Sequence, residues 1–161
     1  MPDRNVAGVG NVRSSGYFIV RSTGECRCCK ASIPLTALAL APGHETLSMD
    51  PDTWESAACG ALPFYVEMLP HAVQRRLAEF SPAYRYAYST ETQGWYWANH
   101  CMKCGALQED HDLFCEPDGA FLPMTQESAA DSELIWIGEP IEAAAGGYSC
   151  EPAFFAAAIG T

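Results

Sequence analysis

Two cysteine clusters, Cys26-Arg27-Cys28-Cys29 and Cys101-Met102-Lys103-Cys104, carry the residue types and spacing of a thiolate metal site. A two-residue spacer lets both sulfurs of one tight turn face the same ion. It also leaves backbone N–H groups free to hydrogen-bond to those sulfurs. Four such thiolates complete the tetrahedron that zinc prefers, so Cys26, Cys29, Cys101 and Cys104 are expected to hold one Zn2+. A shell filled by protein leaves no position for water or substrate, which makes the expected role structural rather than catalytic.

The second cluster meets the knuckle pattern fully, because Gly105 follows it where φ must turn positive. In the first cluster Lys30 stands where glycine is ideal, and Cys28 offers a competing thiol. The two-residue spacer favours Cys26 and Cys29 over a Cys26-x-Cys28 bite. His100 adjoins Cys101 and is a rival ligand, although the cysteine set is already complete. The 71 residues between Cys29 and Cys101 make the site discontinuous, pinning two distant stretches of chain together. Arg27, Lys30 and Lys103 are expected to offset the thiolate charge, which makes them poor evidence for a nucleic-acid surface.

Other chemistry is thinner. His111 and Cys115 could join Cys59 or Cys150 at a second metal, but no second paired motif supports this, and all three cysteines read more simply as small buried hydrophobes. The run Glu109-Asp110-His111-Asp112 lacks the glycine turn and spacing of an EF-hand loop and is expected as an exposed acidic loop. His44-Glu45 lacks the His-x-Glu order and the proline that zinc deaminases place before their cysteine pair. No phosphate loop, nucleophile elbow or His-Glu-x-x-His helix is present.

These cysteines must be held by surrounding elements. Residues 1–15 are small and polar, expected as a mobile arm. Residues 17–20 are β-branched and aromatic, and Thr23-Gly24 turns the chain into the first cluster. In residues 33–40, Ile33, Leu35 and Ala37 alternate as on a strand. Leu38 and Leu40 break that alternation, which requires burial on both sides or a turn of helix. Asp50-Pro51 has the form of a helix start. A helix is predicted over residues 70–80, with Val73, Leu77 and Phe80 on one stripe, stopped by Ser81-Pro82. Tyr84, Tyr86 and Tyr88 have strand periodicity, as does the run from Trp95 to Asn99, and residues 134–137 form a last strand. The aromatic residues read as core packing or interface anchors, since a base-stacking platform needs a basic groove. Residues 153–159 form a core-sized apolar segment.

The 161 residues are enough for one α+β domain that buries about 68–70% of the surface exposed by its unfolded chain. Residues 1–16 have no apolar h-region, and no stretch approaches the roughly 20 apolar residues that span a bilayer. A cytoplasmic protein is therefore expected, and the reducing compartment favours metal over a disulfide framework for the eight cysteines. The net charge of −11 is unevenly placed: residues 105–161 carry eleven Asp/Glu and no Lys or Arg. Four thiolates around one divalent ion bring the whole to about −13. Such a field repels phosphate backbones and attracts basic partners.

The segment Asn99-His100-Cys101-Met102-Lys103-Cys104-Gly105-Ala106-Leu107-Gln108, taken with the first cluster, resembles the zinc-ribbon class: two knuckle-bearing hairpins sharing one ion. It is similar to small uncharacterised bacterial zinc-ribbon proteins, over under a third of the chain. The resemblance implies a fold element and a structural metal, with no reaction attached. The expected architecture is a zinc ribbon with halves at 16–41 and 93–114, a helical insertion at 42–92 and an acidic C-terminal extension at 115–161. The expected function is non-enzymatic: an acidic module binding a basic protein partner, immunity- or antitoxin-like, with neither nucleic acid nor membrane favoured. Alternatives are a zinc-ribbon regulator of transcription, or an enzyme using His44, His71 or His111.

Overall fold

The computed structural model describes residues 10–48, 53–130 and 132–150. The chain is strand-rich. In order it forms β1 (Val12–Ser14), β2 (Tyr17–Glu25), β3 (Ser32–Ala39), β4 (Glu45–Leu47), β5 (Trp54–Ser56) and β6 (Ala61–Met68). Helix α1 (His71–Phe80) follows, then β7 (Tyr84–Ser89), β8 (Gly94–His100) and β9 (Leu107–Gln108). A π-helical turn (His111–Cys115), a short helix α2 (Gln126–Ala129), β10 (Glu133–Ile137) and β11 (Ile141–Cys150) complete it. Among the described residues no helix is long and apolar enough to cross a membrane.

One antiparallel sheet runs β5-β4-β1-β11-β6-β8-β7, with β9 also paired to β8. A second runs β10-β2-β3. The two meet where Leu40 bridges Ala61. From Leu35 onward β3 is buried on both faces, which explains its broken alternation. Ile33, Leu35, Ala37 and Ala39 pack into one core cluster with Val20, Phe114 and Phe121, while Leu38 and Leu40 enter the other with Ile19, Val66 and Trp97. Cys26 and Cys101 are part of the first of these clusters, so the candidate ligands are anchored in packed core.

Helix α1 is as predicted. Val73 and Leu77 are buried, Phe80 packs against the same cluster, and the Ser81 N–H closes the C-terminus on the Leu77 carbonyl at 2.7 Å. The rest of the expected insertion differs: residues 42–92 are mainly strands, and β6 joins the large sheet. Of the expected mobile arm, residues 1–9 lie outside the described residues, while Val12–Ser14 is a strand. From the expected C-terminal extension, β11 lies between β1 and β6 inside the sheet, with β10 on β2. The signal for β11 was masked by composition, because IEAAAGGYSC holds alanine and glycine in place of the β-branched residues that mark strands. Both glycines are needed for close packing: a Cβ on Gly146 would press on the Tyr65 Cβ at 2.9 Å, and one on Gly147 on the Phe64 ring at 2.6 Å. The Asp50-Pro51 helix start and the 153–159 segment lie outside the described residues.

Candidate metal centre

Each cysteine cluster caps a hairpin: the first joins β2 to β3, the second joins β8 to β9. The two turns repeat one hydrogen-bond scheme. The Cys26 N–H donates to the Ala31 carbonyl (2.8 Å) and the Lys30 N–H to the Cys26 carbonyl (3.1 Å). In the second turn the Cys101 N–H donates to Ala106 (2.9 Å) and the Gly105 N–H to Cys101 (2.8 Å). The amides of Cys28 and Cys29 point at Cys26 Sγ (3.4 and 3.5 Å), as those of Lys103 and Cys104 point at Cys101 Sγ (3.4 and 3.5 Å). These donors favour thiolate. The Cys29 amide holds the Cys26 thiol at about 6, well below its usual 9.0, against the opposing effect of burial, and the Cys104 amide lowers Cys101 in the same way.

The hairpins bring the four sulfurs together. Cys26 Sγ lies 3.6 Å from Cys104 Sγ and Cys29 Sγ lies 3.7 Å from Cys101 Sγ, with all four sulfurs within 4.8 Å of one another. A tetrahedron with metal–sulfur bonds of about 2.3 Å has edges of about 3.8 Å, so the separations fit a shared ion. They are far too long for a disulfide, whose sulfurs sit about 2.05 Å apart. The four cysteines are thus positioned to hold one metal ion through a complete sulfur shell. Among the described residues no other Cys/His/Asp/Glu group is close enough to share an ion.

The rival ligands are placed elsewhere. Cys28 is exposed and contributes only its amide to the site. His100 is buried, with Nδ1 at 3.0 Å from the Ala98 carbonyl and 3.2 Å from that of Ala83; burial lowers its pKa. Cys59 and Cys115 are exposed, contrary to their reading as buried hydrophobes, and the Cys150 side chain lies outside the described set. Arg27 faces carboxylates in place of thiolates, at 2.9 Å from Glu91 and 3.9 Å from both Glu109 and Asp112. His44 is buried with Nδ1 at 2.8 Å from the Ala41 carbonyl, His71 opens α1, and exposed His111 lies 3.4 Å from Glu116.

Three supporting residues escaped sequence reasoning. Gln108 links the knuckles: its Oε1 accepts from the Arg27 N–H (3.0 Å), while its Nε2 lies 3.4 Å from Cys26 Sγ and 2.9 Å from the Ala106 carbonyl. Asn99 joins the hairpins two residues before Cys101, accepting from the Thr36 N–H (2.7 Å) and donating to the Thr36 carbonyl (2.9 Å). A polar side chain exchanging a ladder-like pair of bonds has no signature in a single sequence.

The third is Asp110. The expected exposed acidic loop is exposed only at His111 and Asp112, whereas Glu109 and Asp110 are buried. Glu109 accepts from Ser89 and Tyr96 hydroxyls, each at 2.7 Å. Asp110 Oδ2 accepts from the Tyr65 N–H (2.8 Å), where Tyr65 takes φ 50° within β6. Among the described residues its Oδ1 has no hydrogen-bond partner, and burial raises the Asp110 pKa from 3.8 to about 7. Compared with known protein families, curated proteins and solved structures, the chain matches none.

Proposed function

We propose that the chain is a non-enzymatic zinc-ribbon protein whose acidic surface binds a basic partner protein and neutralises it, as an immunity or antitoxin protein does. The observation that carries the metal half is the set of four sulfurs, delivered by two hairpins within 4.8 Å of one another, two cross-hairpin pairs at tetrahedral edge length. Thiolate softness and tetrahedral geometry suit zinc, and a closed four-sulfur shell suits a structural ion. Bound there, the ion would tie the β2–β3 and β8–β9 turns into one rigid unit.

The partner half is supported by charge. The eleven carboxylates of residues 105–161 face no lysine or arginine within that segment. Asp112, Glu116, Asp118, Glu127 and Glu133 are exposed on segments built into or against the sheets. Arg27 and Arg21 meet Asp112 and Glu133, and the remaining excess of acid accelerates encounter with oppositely charged proteins and repels nucleic acid. Capture of the native partner on the immobilised chain tests this. The expected partner is strongly basic, and its affinity falls steeply between low and moderate salt. A partner whose affinity is indifferent to salt contradicts the reading.

A further inference from the structure

A cleft of about 680 Å³ includes none of the four clustered cysteines in its lining. That volume is in the range of specific recognition pockets. Its floor includes a charged row across three neighbouring strands, Glu45 on β4, Arg13 on β1 and Glu142 on β11, which are directly opposite one another in register. One cation between two carboxylates leaves the row at −1. Arg13 Nε pairs with Glu45 Oε1 at 3.0 Å, whereas among the described residues Glu142 has no ion-pair partner and accepts only the Gly10 N–H at 3.2 Å.

The wall of the cleft is Trp136, which is 55% exposed. Its ring lies 5.0 Å from that of Phe18 and covers Gly16, where a Cβ would meet it. A large exposed aromatic ring packed on one side has the character of an interface anchor. The row itself shows how this fold receives a guanidinium: Arg13 stacks on the Trp54 ring at 4.1 Å while a carboxylate takes its N–H. Trp136 and Glu142 line the same cleft and supply those two ingredients again, while Arg13 is already engaged by Glu45 and Trp54.

We propose that this cleft receives an arginine side chain of the basic partner, its guanidinium stacked on Trp136 and its charge met by Glu142. The proposal rests on the acidic-interaction reading above and names the surface that executes it. Arginine is specified over lysine because its planar, weakly hydrated cation stacks on an indole face, while a compact ammonium keeps its water.

Blocked hexa-arginine and hexa-lysine peptides titrated into the full chain at low and moderate salt test it, with Trp136→Ala and Glu142→Gln beside the wild type. Both peptides are expected to bind with salt-dependent affinity, hexa-arginine tighter by about 3–10-fold. Trp136→Ala should abolish that preference and leave hexa-lysine affinity within about twofold, because its exposed ring supports little of the core. Glu142→Gln should weaken both peptides. Equal binding of the two peptides by the wild type, or a preference that survives Trp136→Ala, overturns the cleft assignment and leaves the acidic-surface reading standing. Failure of the wild type to bind either peptide at low salt overturns the acidic-surface reading, and the cleft with it.

Discussion

The two knuckles share one hydrogen-bond scheme but differ at its tightest point. Gly105 takes φ 79° after the second cysteine pair, and Lys30 takes φ 65° after the first. Glycine enters that region freely, while a side chain costs roughly 1–2 kcal/mol. The first knuckle therefore adopts the turn against its own residue preference. What compensates it is long-range: Gln108, from the other hairpin, binds the Arg27 amide and approaches Cys26 Sγ. The second knuckle is written locally in its sequence, and the first is completed by its neighbour.

That asymmetry can be broken at four levels. Cys26→Ser and Cys101→Ser should be equally damaging despite the difference between their turns, because either leaves a three-sulfur shell. Structural zinc binding in small domains is on the order of 10 kcal/mol, so both variants should lose tight metal and unfold at much lower denaturant. Unequal losses, read by metal content and urea melts, would show that the knuckles do not share one ion.

Asp110→Asn probes the chain just beyond the second knuckle. A carboxyl whose folded pKa is raised from 3.8 to about 7 contributes stability that is complete below 3.8 and lost as pH rises through 7. The wild type should therefore lose stability between about pH 4 and pH 7 relative to the asparagine variant, whose profile over that window should be flatter. Parallel profiles in thermal melts would contradict the burial assigned to this group.

Gln108→Ala removes the long-range support of the first knuckle together with its bond to Ala106 in the second. Loss of such an outer partner costs about 10–100-fold in metal affinity. Competition with a chelator should show it, with faster release of the first-knuckle cysteines to a thiol reagent. The smallest effects come from exchanging the turn residues. Nothing lies within 4 Å of a Cβ built on Gly105, so Gly105→Ala should cost only the conformational term of about 1 kcal/mol. Lys30→Gly should be neutral or stabilising by up to about 1 kcal/mol, the opposite sign. The same sign at both positions would remove the proposed asymmetry.

Features that residues encode locally were readable in the chain. The four cysteines, α1 with its Val73–Leu77 stripe, and the alternating Tyr84–Tyr88 strand announce themselves by spacing. Features set by distant partners were not. Gly146 and Gly147 of β11 lie where Tyr65 and Phe64 occupy the space side chains would take. Asp110 reads as one more surface acid, and only the distant Tyr65 N–H, on a residue at φ 50°, gives it a buried donor. Arg27 beside two thiolates reads as their counter-charge until Glu91, Glu109 and Asp112 converge on it from elsewhere. Sequence spacing conveys which sulfurs can meet, but not which carboxylates surround them.

The most direct test is X-ray absorption at the zinc edge on the purified full chain, combined with elemental analysis. One zinc per chain with four sulfur neighbours at about 2.3 Å is the expected result. Metal-free protein that is stably folded, or a first shell containing nitrogen or oxygen, would contradict the shared four-cysteine site.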